Sequence, residues 1–262
     1  MSGLPEVLAI SAMVIAGAMV LLWLLSLVLR DASIVDIFWG TGFVVIAWTA
    51  FVVADGAEPR RWMLALLTSI WGLRLTGYLA WRNIGKGEDY RYTEMRDRWG
   101  DRFWIVSLGQ VFLLQGALMW VVSLPVQAGS VPASPDGLGI LAIAGAAAWA
   151  VGLFFEAVGD WQLSRFKADP DNAGKVMDRG LWRYTRHPNY FGDFMVWWGL
   201  YLVALEAHGT WWTAVGPVVM SVLLMRVSGK DRLERSLKKR REGYEEYVRR
   251  TSGFFPLPPK KA

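Results

Sequence analysis

Seven long apolar stretches dominate this chain of 262 residues. A helix that crosses a bilayer needs about 20 mostly apolar residues, because its backbone polar groups must be satisfied within the hydrocarbon layer. Each stretch has 19 to 30 residues, and 54% of all residues are hydrophobic. The sequence therefore predicts an all-α polytopic membrane protein with seven transmembrane helices and a C-terminal amphipathic segment. The predicted spans are 5–30, 33–54, 62–82, 103–127, 137–166, 189–207 and 209–228.

No internal repeat, low-complexity linker or second hydrophobic core interrupts this series, so residues 1–262 are expected to form a single membrane domain. The first stretch has no basic segment before it and is too long for a signal peptide, so we expect it to remain as a helix. Residues 128–137, rich in Pro, Ser and Gly, are expected to be a surface loop.

Nearly all of the 28 Lys and Arg residues fall in segments that lie on one side when the N-terminus is placed outside. Basic residues accumulate on the cytoplasmic side of membrane proteins. Only Arg60 and Arg61 would lie outside, and Arg74 would lie within the third span. We therefore expect an outside N-terminus and a cytoplasmic C-terminus, and the short loops suggest a bacterial inner membrane.

The chain contains no cysteine, which excludes disulfides, thiolate catalysis and cysteine-bound metals. Its two histidines, His187 and His208, argue against a metal site built from several histidines. The basic run 238–241 is expected to lie on anionic membrane lipids, so no nucleic acid partner is expected. No obligate protein partner is evident.

Polar residues in the fifth predicted span form a stripe. Glu156, Asp160 and Ser164 are four residues apart and Lys167 follows three residues later, so all four lie on one helix face. Ionisable groups at membrane depth are costly and mark candidate functional sites. The stripe could instead hold helices together by hydrogen bonds, but two carboxylates one turn apart repel each other without a partner. We therefore favour a ligand site.

The second and third spans also carry polar residues. Asp36 lies near the start of the second span, while Arg74 and Tyr78 share a face of the third with Trp71. Asp36 and Arg74 could form an ion pair that only joins the two helices. Alternatively, they could line a cavity in which a substrate oxygen is polarised.

Two polar segments lie outside the predicted spans. The loop 83–100 contains Tyr90, Arg91 and Tyr92, a cluster that could stack on a nucleotide base and contact phosphate. In the basic segment that begins at Arg226, Lys230, Glu234 and Tyr247 could fold over a ligand.

Three parts of the chain carry a family resemblance: GLWRYTRHPNYFGDFMVWWG at 180–199, Asp160-x-Gln162 with Arg165-Phe166-Lys167, and GYEEYVRRTSGFFPLPP at 243–259. They resemble the C-terminal half of the steroid 5-alpha-reductase family. SIVDIFWG at 33–40 and EDYRY at 88–92 resemble a bacterial branch of that family whose substrates are largely unassigned. RHP-x-Y-x-G with a basic, tyrosine-containing tail also resembles isoprenylcysteine carboxyl methyltransferases, which use S-adenosylmethionine.

The first resemblance implies a seven-helix enzyme that binds NADPH from the cytoplasm and reduces a conjugated carbon–carbon double bond in a lipid such as a steroid enone. The substrate cavity would lie mainly within 1–127 and the cofactor within 137–262. By similarity, Asp160, Lys167, Tyr184, Asn189, Asp193 and Lys230 would contact NADPH. The complete set of expected cofactor residues is Arg91, Tyr92, Glu156, Asp160, Ser164, Arg165, Lys167, Arg179, Tyr184, Arg186, His187, Asn189, Tyr190, Asp193, Lys230, Glu234 and Tyr247.

Within the RYTRHPNYFGD motif, Pro188 is expected to start the sixth helix, whose first amides would favour an anion. Arg183 and Arg186 would hold phosphate, while Asn189 and Asp193 would reach the nicotinamide amide or ribose. The many cations favour a cofactor with several phosphates, because S-adenosylmethionine has none.

The known steroid reductases use a Gln-Glu pair with a tyrosine to polarise the substrate. This chain has no Gln-Glu dipeptide, and Trp71 occupies the place expected for the tyrosine. The expected catalytic residues are therefore Asp36, with Arg74 and Tyr78 in support. The substrate could be a steroid, a fatty-acyl lipid or an isoprenoid.

Three functions are compatible with the sequence. The first is an NADPH-dependent lipid reductase, and the second is a membrane methyltransferase. The third is a lipid carrier or sensor without enzymatic activity, against which the stripe of carboxylates argues, because a purely apolar ligand needs no carboxylate.

Overall fold

The computed structural model describes residues 3–227 and 243–260. Within these ranges the regular elements are helices, and one isolated parallel bridge joins Thr185 to Ser252. The predicted all-α class is therefore confirmed for the described chain. The α-helices are α1 (Leu4–Leu29), α2 (Ile34–Val53), α3 (Glu58–Asn83), α4 (Tyr90–Trp99), α5 (Phe103–Ser107), α6 (Leu114–Val122), α7 (Leu124–Gly129), α8 (Ile140–Ala168), α9 (Pro188–Leu205), α10 (Val215–Val222) and α11 (Tyr244–Arg250).

Five helical segments of the described chain are long and apolar enough to cross a membrane. They are α1, α2, α3, the run Tyr90–Val122 and α8. The last two predicted stretches are also helical, but Trp211–Arg226 is shorter, and α9 carries Asn189 and Asp193 in its first two turns. An integral membrane protein is thus supported, whereas the predicted count of seven spans is not confirmed.

Helix α1 shows how such a helix can be apolar on every side. Its buried residues include Val7, Ser11, Ile15 and Met19, which recur every four residues and form a single stripe. Elsewhere the helix exposes large aliphatic side chains, among them Val28 at 80% of its surface. A helix that is hydrophobic all round but packed along one stripe is suited to lipid on its other faces.

Residue contacts divide the chain into two compact units. The first unit comprises Met1–Ile143 and Leu200–Gly216, and the second comprises Ala144–Gly199 and Pro217–Ala262.

In the first unit, α2 and α3 touch through glycine. A Cβ atom on Gly40 would collide with the carbonyl oxygen of Gly72, and a Cβ on Gly72 would lie 2.6 Å from the carbonyl oxygen of Gly40. The hydroxyl oxygens of Thr41 and Thr76 are 3.0 Å apart at the same contact. Small residues allow membrane helices to pack backbone against backbone. The SIVDIFWG segment therefore ends in a glycine that this packing requires.

In the second unit, α8 and α9 make a similar backbone contact, which extends along a longer stretch of the two helices. A Cβ on Gly152 would lie 2.6 Å from the carbonyl oxygen of Gly192, and one on Gly199 would lie 2.6 Å from that of Gly145. Gly192 and Gly199 are seven residues, or about two turns, apart on α9. This contact holds the polar stripe of α8 against the start of α9.

Two segments expected to be loops differ from that expectation. Residues 90–99 of the predicted loop 83–100 form helix α4, because Asp89 caps its first turn by accepting from the amide of Arg91 at 3.0 Å. In the predicted surface loop 128–137, residues 128–130 are buried.

Arg60 explains the burial of this second segment. Its fully buried guanidinium donates to the carbonyl oxygens of Gly129 at 2.8 Å, of Pro135 at 3.0 Å and of Pro132. Arg60, which the sequence predicts on the outer side of the membrane, is the internal anchor of this turn, and its side of the membrane stays a prediction.

The Gly40→Ala variant is expected to lower the free energy of unfolding by about 1–3 kcal/mol, because the added methyl group must push α2 away from α3. Equilibrium unfolding in mixed detergent micelles would measure this loss. Gly17→Ala on α1 is the matched control, since no atom lies within 4 Å of its added Cβ. An equal loss in both variants would contradict the α2–α3 contact.

Candidate functional site

The first unit contains a polar cluster around Asp36, near the start of α2. The carboxylate accepts a hydrogen bond from the hydroxyl of Tyr92 at 2.8 Å and pairs with the guanidinium of Arg91. Asp36 was expected to be catalytic, whereas Arg91 and Tyr92 were expected to bind the cofactor. The structure brings these three residues together. The ion pair between Asp36 and Arg74, one of the two alternatives for these residues, stays a hypothesis.

Gln115 completes this cluster. Its side-chain amide donates to the hydroxyl oxygen of Tyr92 at 3.4 Å, and Tyr92 itself is almost fully buried. Gln115 was not among the predicted site residues, although it is a lone polar residue inside the apolar run VFLLQGALMW. Such a residue at membrane depth is a signal for a specific polar contact.

The turn before α4 fixes the position of Arg91. Asp89 accepts from the backbone amide of Arg91 at 3.0 Å and from its Nε at 2.9 Å. Burial alone would raise the pKa of Asp89, but the hydrogen bonds and charge of Arg91 hold this pKa below its usual value. Nearby, Glu88 accepts from Arg96 at 2.8 Å and from the amide of Ala32 at 2.8 Å. These contacts tie α4 to the loop between α1 and α2.

The other expected catalytic residues, Arg74 and Tyr78, lie together on α3. The guanidinium carbon of Arg74 is 5.5 Å from the centre of the Tyr78 ring, and that of Arg82 is 5.6 Å from the same ring. Trp71 is fully buried and packs edge-on against Phe43, with ring centres 5.5 Å apart. Trp71 is thus a core residue, while Arg74 and Tyr78 form a cation–π pair.

In the second unit, the polar stripe of α8 meets the RHPNYFGD motif. The side-chain amide of Asn189 donates to Asp160 at 3.0 Å, and its oxygen accepts from the amide of Tyr190 at 3.1 Å. Glu156 and Asp160 are both buried, and Asp193 lies one turn after Asn189 on α9. The residues that resemble NADPH contacts on α8 and α9 are therefore adjacent in space.

The C-terminal tail, residues 243–260, is attached to the same motif. The hydroxyl of Thr185 donates to the carbonyl oxygen of Phe254 at 2.7 Å, and the amide of Arg186 donates to that of Ser252 at 2.9 Å. The Arg186 guanidinium donates to the carbonyl oxygens of Thr251 at 2.6 Å and Val248 at 3.1 Å. Arg186, expected to bind phosphate, thus also closes the end of α11.

Tyr247 strengthens this attachment. Its hydroxyl donates to the carbonyl oxygen of Trp182, and the Trp182 indole donates to the carbonyl oxygen of Gly159 at 3.0 Å. Burial raises the pKa of Tyr247, so the hydroxyl keeps its proton and remains a donor. One series of hydrogen bonds therefore joins the C-terminal tail, the segment that contains the RYTRHPNYFGD motif, and α8.

A cavity of about 120 Å³ lies where these three segments meet. Lys167, Lys175 and Arg186 bring positive charge to its lining, and Trp182, Tyr244 and Tyr247 bring aromatic rings. The lining also includes His187, which is buried and stacked parallel to Tyr190 at 5.3 Å. Cations with aromatic faces suit a ligand that combines phosphate with a flat ring. The volume is below the roughly 300–1,000 Å³ of typical ligand pockets, so it fits part of a dinucleotide.

Several expected cofactor residues lie elsewhere. Arg165 is exposed and packs over Trp161 at 5.4 Å, and Tyr184 is also exposed. Arg179 lines a different recess of the second unit. Lys230 and Glu234 lie outside the described residues. Ser164 is partly buried on the same helix as Asp160.

Lys175 was not among the expected residues. It follows α8 in a short segment of mixed polarity that carried no periodic signal. Among residues 3–227 and 243–260, no group of three or more His, Asp or Glu side chains could hold a metal ion.

Long apolar helices together with buried polar clusters define a polytopic integral membrane protein. Residues 22–251 match the family model described as "Protein of unknown function (DUF1295)". The chain belongs to this family, which is related to steroid 5-alpha-reductase-like proteins. No curated protein and no solved structure matches the chain.

A double-mutant cycle tests the Asp36 cluster. We expect Tyr92→Phe to lower the free energy of unfolding by about 1–2 kcal/mol, because it removes a buried hydrogen bond to a carboxylate. The loss should be clearly smaller when Asp36→Asn is already present, since the two residues interact directly. Equilibrium unfolding in mixed detergent micelles would measure the loss in each background. Tyr90→Phe is the control, because Tyr90 is the exposed tyrosine of the same turn. If the losses in unfolding free energy from Tyr92→Phe and Asp36→Asn are additive, the two residues do not interact and the cluster is contradicted.

Proposed function

We propose that this protein is an NADPH-dependent reductase of a conjugated carbon–carbon double bond in a lipid. The observation that carries the proposal is the cavity of the second unit, where Lys167, Lys175 and Arg186 lie beside aromatic rings. Most of its lining belongs to the three segments that resemble the cofactor-binding half of the steroid 5-alpha-reductase family, and Lys175 lies between two of them. The hydrogen bond from Asn189 to the buried Asp160 joins α9 to α8 in the same unit.

Each part of this lining has a role toward the cofactor. Lys167 and Lys175 would supply charge for its phosphates, and the Arg186 guanidinium would add charge while it holds the tail. The rings of Tyr244 and Tyr247 would provide faces for stacking. Asn189, held by Asp160, would hydrogen-bond a ribose hydroxyl or the carboxamide of the nicotinamide.

When bound, NADPH supplies a hydride to the electron-poor carbon of the double bond. The conjugated carbonyl oxygen then gains negative charge, and the neighbouring carbon must finally receive a proton. In the first unit, the Tyr92 hydroxyl is a candidate donor to that oxygen, with Asp36 and Gln115 holding it in place. With the hydride from NADPH and one proton from the solution, the products are the saturated carbonyl compound and NADP⁺. Tyr92 thus joins Asp36 among the proposed catalytic residues.

The lipid nature of the substrate is supported by an apolar groove in the first unit. The groove has a volume of about 240 Å³ and lies between α1 and α6, with Leu113 just before α6. Ile15, Met19, Leu113 and Trp120 are among its lining residues. A steroid, a fatty-acyl chain or an isoprenoid would each present a suitable apolar body.

A methyltransferase that uses S-adenosylmethionine is the alternative function. The aromatic lining of Trp182, Tyr244 and Tyr247 would also suit a sulfonium cation. The three cations in the same lining favour a phosphate-bearing cofactor instead, because they would repel the sulfonium.

The cofactor can be tested with two cations that lie two residues apart on α8. NADPH should raise the thermal stability of the detergent-purified protein more than NADH does, because only NADPH carries the additional phosphate. Lys167→Gln should weaken NADPH binding about tenfold or more. Arg165→Gln, outside the cavity, should leave binding unchanged.

The other outcomes distinguish the alternatives. Stabilisation by S-adenosylmethionine alone would establish the methyltransferase class and contradict the reductase. Stabilisation by none of these ligands would favour the lipid carrier. If Lys167→Gln and Arg165→Gln weaken NADPH binding equally, the cofactor does not bind in this cavity.

The chemistry can be tested with a panel of lipid enones, by following NADPH consumption. Tyr92→Phe is expected to lower kcat about 10²-fold or more, because the phenyl ring cannot donate to the developing oxyanion. Tyr90→Phe should keep the parent rate. A Tyr92→Phe variant as active as the parent would exclude Tyr92 as the donor.

A further inference from the structure

The second unit has a recess of about 560 Å³ whose lining differs from that of the cavity. Four cations line it, namely Arg179, Arg183, Arg250 and Lys260, together with a single carboxylate, Asp178. Asp178 forms an ion pair with Arg250. Within residues 3–227 and 243–260, the side chains of the other three cations have no carboxylate partner. The recess therefore concentrates positive charge.

The recess is assembled from two segments of fixed backbone. Gly180 has a positive φ of 58°, and a Cβ there would collide with the side-chain amide of Gln162. That amide oxygen accepts from the backbone amide of Leu181 at 3.0 Å, which fixes the turn carrying Arg179 and Arg183. In the tail, the amide of Lys260 donates to the carbonyl oxygen of Arg250 at 2.9 Å. The positions of the cations are thus set by the fold.

Like charges held at such positions repel each other unless an anion lies between them. One arginine guanidinium can donate two parallel hydrogen bonds to two oxygens of a phosphate, so a phosphate would satisfy several of these donors at once. The volume lies within the roughly 300–1,000 Å³ of pockets for small ligands.

The tail that supplies Pro259 and Lys260 to the recess also carries exposed apolar residues. Phe255 and Leu257, four and two residues before Pro259, expose 53% and 57% of their surfaces. An anion-binding recess on a tail with exposed apolar side chains suits a phosphate attached to an apolar body.

We propose that this recess binds the phosphate group of an anionic ligand, independently of the cofactor cavity. The shared chemistry is a phosphate ester, which a membrane phospholipid headgroup or a soluble phosphate compound can supply. The proposal does not depend on the reductase activity.

The full-length protein would be tested in two arms without NADPH. In detergent, inorganic phosphate would be titrated against chloride at constant ionic strength while thermal unfolding is followed. In the second arm, unfolding in nanodiscs of phosphatidylglycerol would be compared with unfolding in nanodiscs of phosphatidylcholine. The test variant is Arg179→Gln with Arg183→Gln. Arg249→Gln is the control, because Arg249 is an exposed cation of α11 outside the recess.

We expect stabilisation in at least one arm, reduced about tenfold or more in apparent affinity by the double substitution and retained by the control. A response to phosphatidylglycerol alone would identify a lipid headgroup, and a response to inorganic phosphate would identify a soluble source. No stabilisation in either arm, or equal loss in both variants, would overturn the proposal. NADPH would then be added to the phosphate-stabilised protein. Displacement of the phosphate by NADPH would also overturn the proposal, because the recess would then belong to the cofactor site.

Discussion

The backbone contact between α8 and α9 is the constraint on which the rest of the second unit depends. Gly152 and Gly192 bring the two helices so close that a methyl group on either would meet the other helix. At this separation Asn189 reaches Asp160, and Trp182 reaches the carbonyl oxygen of Gly159. The cavity, the tail and the cationic recess are all built on segments that these two helices hold in place.

The RYTRHPNYFGD motif combines structural and ligand-facing tasks. Thr185 and Arg186 bind backbone carbonyls of the tail, and Asn189 binds Asp160. A buried guanidinium is expensive unless its donors are satisfied, so the tail stabilises Arg186 as much as Arg186 stabilises the tail. This reciprocity explains why a strongly basic motif lies between two apolar stretches.

The sequence predicted the helices well because apolar length and spacing are local properties. It also placed Glu156, Asp160 and Lys167 on one face, since the helical repeat determines that arrangement. It did not predict that Asp36 would meet Arg91 and Tyr92, which lie more than 50 residues away along the chain. Contacts between residues so far apart in the chain are determined by how the helices pack, which local sequence patterns do not show. Likewise, the burial of Arg60 could not be predicted, because the carbonyl groups that accept its hydrogen bonds come from a turn about 70 residues away.

The direction of the hydrogen bonds at Tyr92 has a consequence for any ligand of the first unit. An amide N–H can only donate, so Gln115 occupies a lone pair of the phenol and leaves the phenol hydrogen for Asp36. An incoming carbonyl oxygen would have to take this hydrogen from the carboxylate. Binding at Tyr92 is therefore an exchange of acceptors, and the released carboxylate would remain beside Arg91. The cluster would discriminate between ligands by how well their oxygen competes with an ionised acid.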